Sequence, residues 1–253
     1  MTHDIMKGAE PFYFASPSHK TLVILVHGFT STCHSMRELG QKFFEAGFDA
    51  CGILLPGHGT TPEDMEKRKW TEWLEAVENK LNELSTGYAN VFLCGQSMGG
   101  CLCLYVSSFH PVTGVITISS GIKLFGWKLR LLPLIKYFTR FIKKYDGPDI
   151  KDPAAKKAEV HYDLMPIKSI MELQRFLKKL GGRMSHVKCP VLLIHAEQDH
   201  TFEFKNQALM FHALGSVNKK QIVLKNSYHI ATVDYDKLTV QNESIQFIKE
   251  TCK

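Results

Sequence analysis

The chain has 253 residues, a length that allows one α/β domain with an insertion and argues against a second independent domain. Its 44% hydrophobic and 22% charged residues exclude a disordered chain. The formal net charge of +6 is concentrated in residues 122–157, where ten Lys and Arg stand against three Asp, so the remaining chain is close to −1. Basic and aromatic residues there have amphipathic spacing without a recognition motif, so no nucleic-acid partner is expected.

Six short apolar runs rich in β-branched residues predict strands buried on both faces, as in parallel sheets. In chain order these runs are Thr21–Val26, Phe48–Leu55, Val91–Cys94, Gly114–Ile118, Val191–His195 and Gln221–Leu224. Helical patterns separate them at residues 35–46, 70–84, 98–109, 205–213 and 236–248. Because strands and helices alternate, the sequence predicts an α/β fold with a mostly parallel, doubly wound sheet.

The alternation is broken once, between the strand that ends near Ile118 and the strand that begins near Val191. This interval contains helical patterns and no convincing strand. It starts at the carboxyl end of a parallel strand, where ligand crevices form in open α/β sheets. We therefore expect residues 121–185 to form an inserted helical cap, over a core made of residues 1–120 and 186–253.

One cap helix is expected to begin at Pro133 and to continue to Tyr145, because its apolar residues follow the spacing of one helix face. Its basic residues would lie elsewhere on the helix surface; they are Lys136, Arg140, Lys143 and Lys144. Such a helix either packs on the core with a solvated basic face or touches anionic lipid interfaces. Lys or Arg interrupts every apolar run before the roughly 20 residues of a membrane-spanning helix, so no transmembrane segment is expected.

The pentapeptide Gly-Gln-Ser-Met-Gly at residues 95–99 lies between a predicted strand and a predicted helix. A sharp turn there would expose the hydroxyl of Ser97 above the strand ends, and glycine on either side permits the close backbone approach. The pattern is that of a nucleophile elbow and predicts a serine hydrolase with Ser97 as the nucleophile. The alternative is an ordinary strand-to-helix turn.

A serine nucleophile needs a histidine base and an acid that orients the base; after a nucleophile elbow, the acid precedes the histidine in the chain. The loop after the fifth predicted strand offers Glu197 and Asp199, and Asp199 is preferred because it lies deeper in the loop. Among twelve histidines, His229 follows the next predicted strand and precedes the last helix, so it is the expected base. The histidines expected to be structural are His27, His195 and His200.

Acyl transfer also needs donors for the oxyanion of the tetrahedral intermediate. The expected pair is the backbone N–H of Met98, directly after the nucleophile, and that of Phe29, in the loop after the first central strand.

Five segments occur in a fixed order, His27–Thr30, Pro56–Thr60, Gly95–Gly99, Gln198–His200 and Asn226–His229. With them the chain resembles the α/β-hydrolase family, and within it bacterial monoacylglycerol lipases and related small carboxylesterases. The resemblance covers nearly the whole chain and is weakest in residues 122–168. It implies a mobile helical cap and the hydrolysis of carboxylic esters without a cofactor or metal. The triad and oxyanion hole that it implies consist of Ser97, Asp199, His229, Phe29 and Met98.

The substrate of such an enzyme is a small-molecule ester or lipid, and for a monoacylglycerol one wall of the site must be apolar. Candidates for this wall are Phe29, Leu124, Phe125, Ile142 and Ile150. Asp163 is the candidate that would bind the glycerol hydroxyls; its alternative role is a surface carboxylate paired with lysine. Other functions left open are a carboxylesterase for short-chain or aromatic-acid esters, a thioesterase or acyltransferase, and a non-catalytic ligand-binding receptor.

The seven cysteines are odd in number and lie mostly in apolar patterns, which is typical of free thiols in a reducing compartment. The opening residues Met1–Phe14 have no pattern of a secretory leader. We therefore expect a cytoplasmic protein. Cys101 and Cys103 lack the spacing of metal ligands, and no metal is expected.

Overall fold

The computed structural model describes residues 4–124 and 131–253. Its strands are β1 (Phe12–Phe14), β2 (Thr21–Val26), β3 (Asp49–Ile53), β4 (Asn90–Gln96), β5 (Gly114–Ile118), β6 (Phe141–Lys143), β7 (Leu164–Pro166), β8 (Val191–Ala196) and β9 (Lys219–Leu224). Its α-helices are α1 (His34–Glu45), α2 (Pro62–Lys67), α3 (Trp70–Leu84), α4 (Met98–Ser107), α5 (Leu132–Ile135), α6 (Pro153–Ala158), α7 (Ile167–Gly181), α8 (Lys205–Ala213) and α9 (Lys237–Thr251).

Seven of the strands form one sheet in the order β1-β3-β2-β4-β5-β8-β9. Neighbouring strands from β3 to β9 pair in parallel, and β1 joins the edge antiparallel to β3. The six predicted strands are all present with slightly different bounds, and the predicted mostly parallel α/β sheet is confirmed. The edge strand β1 was not predicted, since three residues are too few for a clear periodic pattern.

The register of the sheet brings the loops of interest to one edge. Val26 at the end of β2 is opposite Gly95 near the end of β4, and Ala196 at the end of β8 is opposite Leu224 at the end of β9. Because parallel strands end at the same side, the turns that follow them open onto a common crevice. This edge therefore carries the loop after β2, the turn after β4, and the loops after β8 and β9.

Helices cover both faces of the sheet, and the sheet divides the core into two apolar layers. On one face, Trp73 of α3, Leu102 of α4 and Phe176 of α7 pack in a cluster of buried side chains. On the other face, Phe43 of α1 and Phe247 of α9 belong to the second cluster. The continuous burial of the central strands on both faces explains why they read as uninterrupted apolar runs.

Residues 121–185 contain elements of both kinds, and two expectations about them were wrong. β6 and β7 form a two-stranded antiparallel sheet where no strand was expected. The helix predicted from Pro133 to Tyr145 is limited to the four residues of α5. Leu134 and Phe138 are 63% and 89% exposed, so two apolar residues of the predicted helix face do not pack on the core, whereas β6 gains backbone hydrogen bonds from β7.

The segment after α6 forms hydrogen bonds with the loop after β2. The N–H of Tyr162 donates to Thr30 O at 3.0 Å, and Thr32 Oγ1 donates to Val160 O at 2.9 Å. The carboxylate of Glu159, whose side chain is fully buried, lies 2.9 Å from Nδ1 of His34 at the start of α1. This hydrogen bond raises the pKa of His34, although burial of the ring opposes it. We call residues 159–162 the staple.

The longest of the described helices have 15 residues. In the described part of the chain, no helix combines the length and apolarity needed to cross a bilayer.

Candidate active site

The turn at Ser97 has a strained backbone. Its φ of 57° and ψ of −121° are unusual for a residue other than glycine, and they direct the side chain away from the strand that precedes it. The flanking glycines are required by contact: a Cβ at Gly99 would lie 2.1 Å from Val26 O, and one at Gly95 would lie 2.3 Å from the N of Gly100. The sequence folds into a sharp elbow here because only glycine fits at both sides.

Replacing Gly99 by alanine is expected to lower the free energy of unfolding by about 1–3 kcal/mol, because the added methyl group must displace the backbone of β2. Urea unfolding at neutral pH measures this change. Gly181→Ala near the end of α7 is the matched control, since a Cβ there meets no atom within 4 Å. If both variants unfold at the urea concentration of the wild type, the elbow is not sterically constrained as described.

Ser97, His229 and Asp199 form a chain of two hydrogen bonds. Ser97 Oγ lies 2.8 Å from Nε2 of His229, and Nδ1 of His229 lies 2.8 Å from Oδ2 of Asp199. The other carboxylate oxygen accepts the N–H groups of Thr201 at 2.7 Å and Phe202 at 2.8 Å. The structure thus brings together the three residues that the sequence selected from different loops.

Electrostatics keeps Asp199 charged. Burial would raise its pKa, but the charge of His229 and the hydrogen bonds from His195 and His229 together outweigh burial and hold the pKa well below its ordinary value. An anionic Asp199 accepts a hydrogen bond from the protonated Nδ1 of His229. The lone pair of this ring is therefore on Nε2, which faces Ser97. This arrangement can accept the serine proton and stabilise the imidazolium that results.

Two of the histidines expected to be structural hydrogen-bond to the backbone. His27 donates from Nδ1 to Gly28 O at 2.9 Å and accepts the N–H of Leu55 at 3.1 Å; burial lowers its pKa to about 4 and keeps the ring neutral. Nε2 of His195 lies 2.8 Å from Phe202 O and 3.3 Å from Oδ2 of Asp199, so this ring also contacts the carboxylate of the hydrogen-bond chain. Both rings hold loops at the edge of the sheet.

Glu197, the alternative acid, and His200 take no part in the hydrogen-bond chain. Glu197 is exposed, and its N–H bonds to Leu224 O. His200 is mostly exposed and pairs with Asp149.

The expected oxyanion donors are the backbone N–H groups of Phe29 and Met98. In the described part of the chain, neither the N–H of Phe29 nor that of Met98 has a hydrogen-bond acceptor. Met98 is the first residue of α4, where an N–H has no partner within the helix and the helix dipole favours negative charge. A Cβ at Gly28 would lie 3.1 Å from Cβ of Ser97, so the loop before Phe29 approaches the serine closely. Both N–H groups without an acceptor therefore belong to residues close to Ser97, one next to it in the chain and one in the loop that approaches it.

A cavity of about 360 Å³ opens onto Ser97 and His229. Its lining is mostly apolar, with Phe29, Leu124, Met165, Leu173, Phe202 and Ile230. Two of the predicted wall residues, Phe29 and Leu124, are thus in place. Ile142 packs instead with a small cluster around Ile167, and Ile150 is buried without lining the cavity. Phe125 lies outside the described residues.

Asp163 is not among the residues that line this cavity. Its side chain is 66% exposed, and its Oδ1 lies 3.0 Å from Nε2 of His161. The side-chain partner of Asp163 is therefore a histidine and not the lysine expected in its alternative role. The role in glycerol binding stays a prediction, and the contacts of this carboxylate do not favour it.

The sequence patterns did not predict that three further residues would lie at the site. Gln96 donates from Nε2 to His229 O at 3.3 Å. Asp149 accepts the N–H of His229 at 3.3 Å, which joins the inserted segment to the histidine loop. Lys144 lines the cavity, whereas we expected it on the surface of a helix. Gln96 has a detectable signal, since it directly precedes the elbow serine; the other two depend on contacts between distant segments.

In the described part of the chain, no three His, Cys, Asp or Glu residues are grouped so that they could hold a metal ion. All seven cysteines have free thiols.

Comparison with known proteins identifies matches over nearly the full chain. The family model described as Hydrolase_4, serine aminopeptidase S33, matches residues 17–236. The thermostable monoacylglycerol lipase of Bacillus sp. (strain H-257) is 33% identical over 249 residues, which cover 97% of this chain and 96% of that protein. A carboxylesterase of Bacillus subtilis (strain 168) is 23% identical over 247 residues, 97% of this chain and 99% of that one.

A solved structure from a study of the metagenome-derived lipolytic enzymes LipS and LipT superposes with a TM-score of 0.92 at 30% identity. The alignment covers 98% of this chain and 100% of the other.

Proposed function

The chain belongs to the Hydrolase_4 family of serine aminopeptidase S33 proteins, and on that premise we propose that it cleaves monoacylglycerols to fatty acid and glycerol through an acyl-serine intermediate. It is a serine ester hydrolase. Two relatives that match along nearly their whole length are a monoacylglycerol lipase and a carboxylesterase, which favours an ester over a peptide as the substrate.

One observation carries the proposal, namely the hydrogen-bond chain from Ser97 through His229 to Asp199, with the serine open to an apolar cavity. His229 takes the serine proton while the hydroxyl oxygen attacks the ester carbonyl. The N–H groups of Phe29 and Met98 hold the oxyanion. His229 then protonates the departing alcohol, and a water molecule repeats both steps on the acyl-enzyme.

A second candidate is a carboxylesterase for short-chain esters. The cavity of about 360 Å³ is near the lower end of the usual range for ligand pockets, about 300–1,000 Å³, and a small pocket limits the length of the acyl chain. This candidate uses the same nucleophile and differs only in acyl length and leaving group.

A panel of 1-monoacylglycerols with increasing acyl length, compared with ethyl esters of the same acids, tests the choice. We expect kcat/KM for each monoacylglycerol to exceed that of its ethyl ester by about tenfold or more, the effect of one or two hydrogen bonds to glycerol hydroxyls. Ethyl esters of short acids that react as fast as their glycerol esters would favour the second candidate.

The same panel tests the role of Asp163. If Asp163→Ala changes kcat/KM equally for the glycerol esters and the ethyl esters, Asp163 does not bind the glycerol hydroxyls.

We also propose that the surface around α5 contacts lipid aggregates. Leu134, Tyr137 and Phe138 are 63%, 75% and 89% exposed, and Lys136 and Arg140 lie among them. Large exposed apolar side chains beside cations are the usual composition of a surface that binds anionic lipid interfaces.

Sedimentation with phosphatidylglycerol vesicles measures this contact. Phe138→Ser is expected to weaken binding by about tenfold, since a buried aromatic ring contributes roughly 1.5–3 kcal/mol. Val217→Ser is the matched control, because Val217 is 99% exposed and lies between α8 and β9, far along the chain from α5. Equal losses in both variants, or no binding by the wild type, would contradict the proposal.

The seven free thiols favour a cytoplasmic location. Recovery of the protein from a secreted fraction of its source cells would contradict this.

A further inference from the structure

Lys144 places an ammonium group in the wall of the cavity that holds Ser97. The residue directly follows β6, and its backbone N–H donates to Asp163 O at 2.8 Å. Its Nζ donates to Oγ1 of Thr30 at 2.5 Å. Thr30 follows Phe29, whose N–H is one of the two free donors, so the ammonium lies beside the loop expected to hold the oxyanion.

This ammonium has no counter-ion in contact. Within residues 4–124 and 131–253, no carboxylate oxygen lies within 4.0 Å of its Nζ. The carboxylates whose charges act on it have other partners: Glu159 pairs with His34, Asp163 with His161, and Asp149 with His200. Asp146 also lines the cavity but is exposed.

Burial lowers the pKa of Lys144 to about 8, and the attraction of Asp163, Glu159 and Asp149 offsets only part of this. A partly desolvated charge without a paired opposite charge is costly, and the cost is removed when an anion binds beside it. An ammonium with one N–H committed to Thr30 has two donors left for such an anion.

We propose that Lys144 is a specificity-determining residue that binds a carboxylate or phosphate group carried by the ester substrate. This inference rests on the proposed function, whose acyl-serine chemistry it keeps, and extends the substrates from neutral monoacylglycerols to esters with an anionic group near the scissile bond. Thr30 holds the ammonium in place, and the apolar lining takes the hydrocarbon part of the same molecule.

Two matched substrate pairs test the proposal, one for each side of the ester. The first compares 1-butyrylglycerol 3-phosphate with 1-butyrylglycerol, and the second compares 4-nitrophenyl hydrogen glutarate with 4-nitrophenyl butyrate. In at least one pair, Lys144→Met should lower the anionic-to-neutral ratio of kcat/KM by about tenfold or more, as expected for a charge-assisted hydrogen bond. Lys144→Arg should restore most of the ratio.

The control is Lys157→Met, an exposed lysine of α6, which should leave both ratios at their wild-type values. The wild-type ratio should also fall as pH rises through about 8, because the ammonium loses its proton. The groups that face Lys144 do not produce this change: Asp163, Glu159 and Asp149 are carboxylates, and burial keeps the pKa of His58 well below its ordinary value. Ratios that Lys144→Met leaves unchanged in both pairs would overturn the proposal.

Binding separates this inference from the proposed function. Calorimetry with the Ser97→Ala variant measures the affinity of each substrate without turnover. Tighter binding of an anionic ester, lost on adding Lys144→Met, supports the role of Lys144 even if the wild type hydrolyses none of the esters. Equal binding of the anionic and neutral members of both pairs overturns it even if all are hydrolysed.

Discussion

Replacing Ser97 by alanine should lower kcat for ester hydrolysis on the order of a millionfold, because serine, histidine and carboxylate act as a unit. The variant keeps the cavity and the two free N–H donors, so only binding and oxyanion stabilisation remain. Initial rates with a chromogenic ester, at enzyme concentrations high enough to detect the residual rate, measure the loss. A fluorophosphonate probe should label the wild type and not the variant.

The control for this variant is Ser107→Ala at the end of the same helix, where the hydroxyl donates to Leu104 O and hydrogen-bonds to Cys189. It should keep the wild-type rate and the wild-type labelling. A Ser97→Ala variant that retains a tenth of the activity would refute the assignment of the nucleophile.

Asp199→Asn is expected to lower kcat by about 10⁴-fold. An amide in place of the carboxylate can donate to Nδ1 of His229, which puts the ring proton on Nε2 and removes the lone pair that faces Ser97. Steady-state kinetics near neutral pH measures the effect. Glu197→Gln is the matched control, since that carboxylate is exposed; a larger loss in Glu197→Gln than in Asp199→Asn would reverse the choice of acid.

The same carboxylate has an expected effect on stability. Because its pKa is lower in the folded chain than its ordinary value of 3.8, Asp199 contributes stability above that value and loses the contribution as pH falls toward the folded pKa. The difference in unfolding free energy between wild type and Asp199→Asn should therefore shift in favour of the variant below about pH 4. A difference that is constant with pH would show that the carboxylate has equal pKa values in both states.

Much of the fold follows from local patterns. The strands from β2 to β5 and β8 are buried on both faces or nearly so, and such strands appear as apolar runs of strand length. The expectation of burial on both faces was wrong for β9, which lies at the edge of the sheet and is largely exposed. The α/β-hydrolase fold expected from the resemblance is confirmed by the superposition on a lipolytic enzyme. Ser97, Asp199 and His229 were found because each follows a predicted strand, and a parallel sheet brings such positions to one edge; their catalytic roles stay proposals.

The inserted segment was the least predictable part. The spacing between Pro133 and Tyr145 fits a helix, but pairing with β7, more than twenty residues later, gives Phe141–Lys143 an extended backbone. Local propensity is a weak guide where tertiary contacts of this kind compete with it. The position of Lys144 follows from the same pairing. No pattern in the sequence indicates that this lysine, and not Lys136 or Lys143, faces the cavity.

The staple restricts how substrate can enter. If residues 121–185 rotated away as one lid, all three contacts of the staple would break together. These are the hydrogen bonds of Tyr162 to Thr30, of Thr32 to Val160 and of Glu159 to His34, and without them the loop after β2 would lose contacts that hold it in place. If the entrance widens, we expect the movement upstream of residue 159, where it leaves these three contacts intact. Such a movement would leave the loop after β2, which we expect to stabilise the oxyanion, in place before the substrate binds.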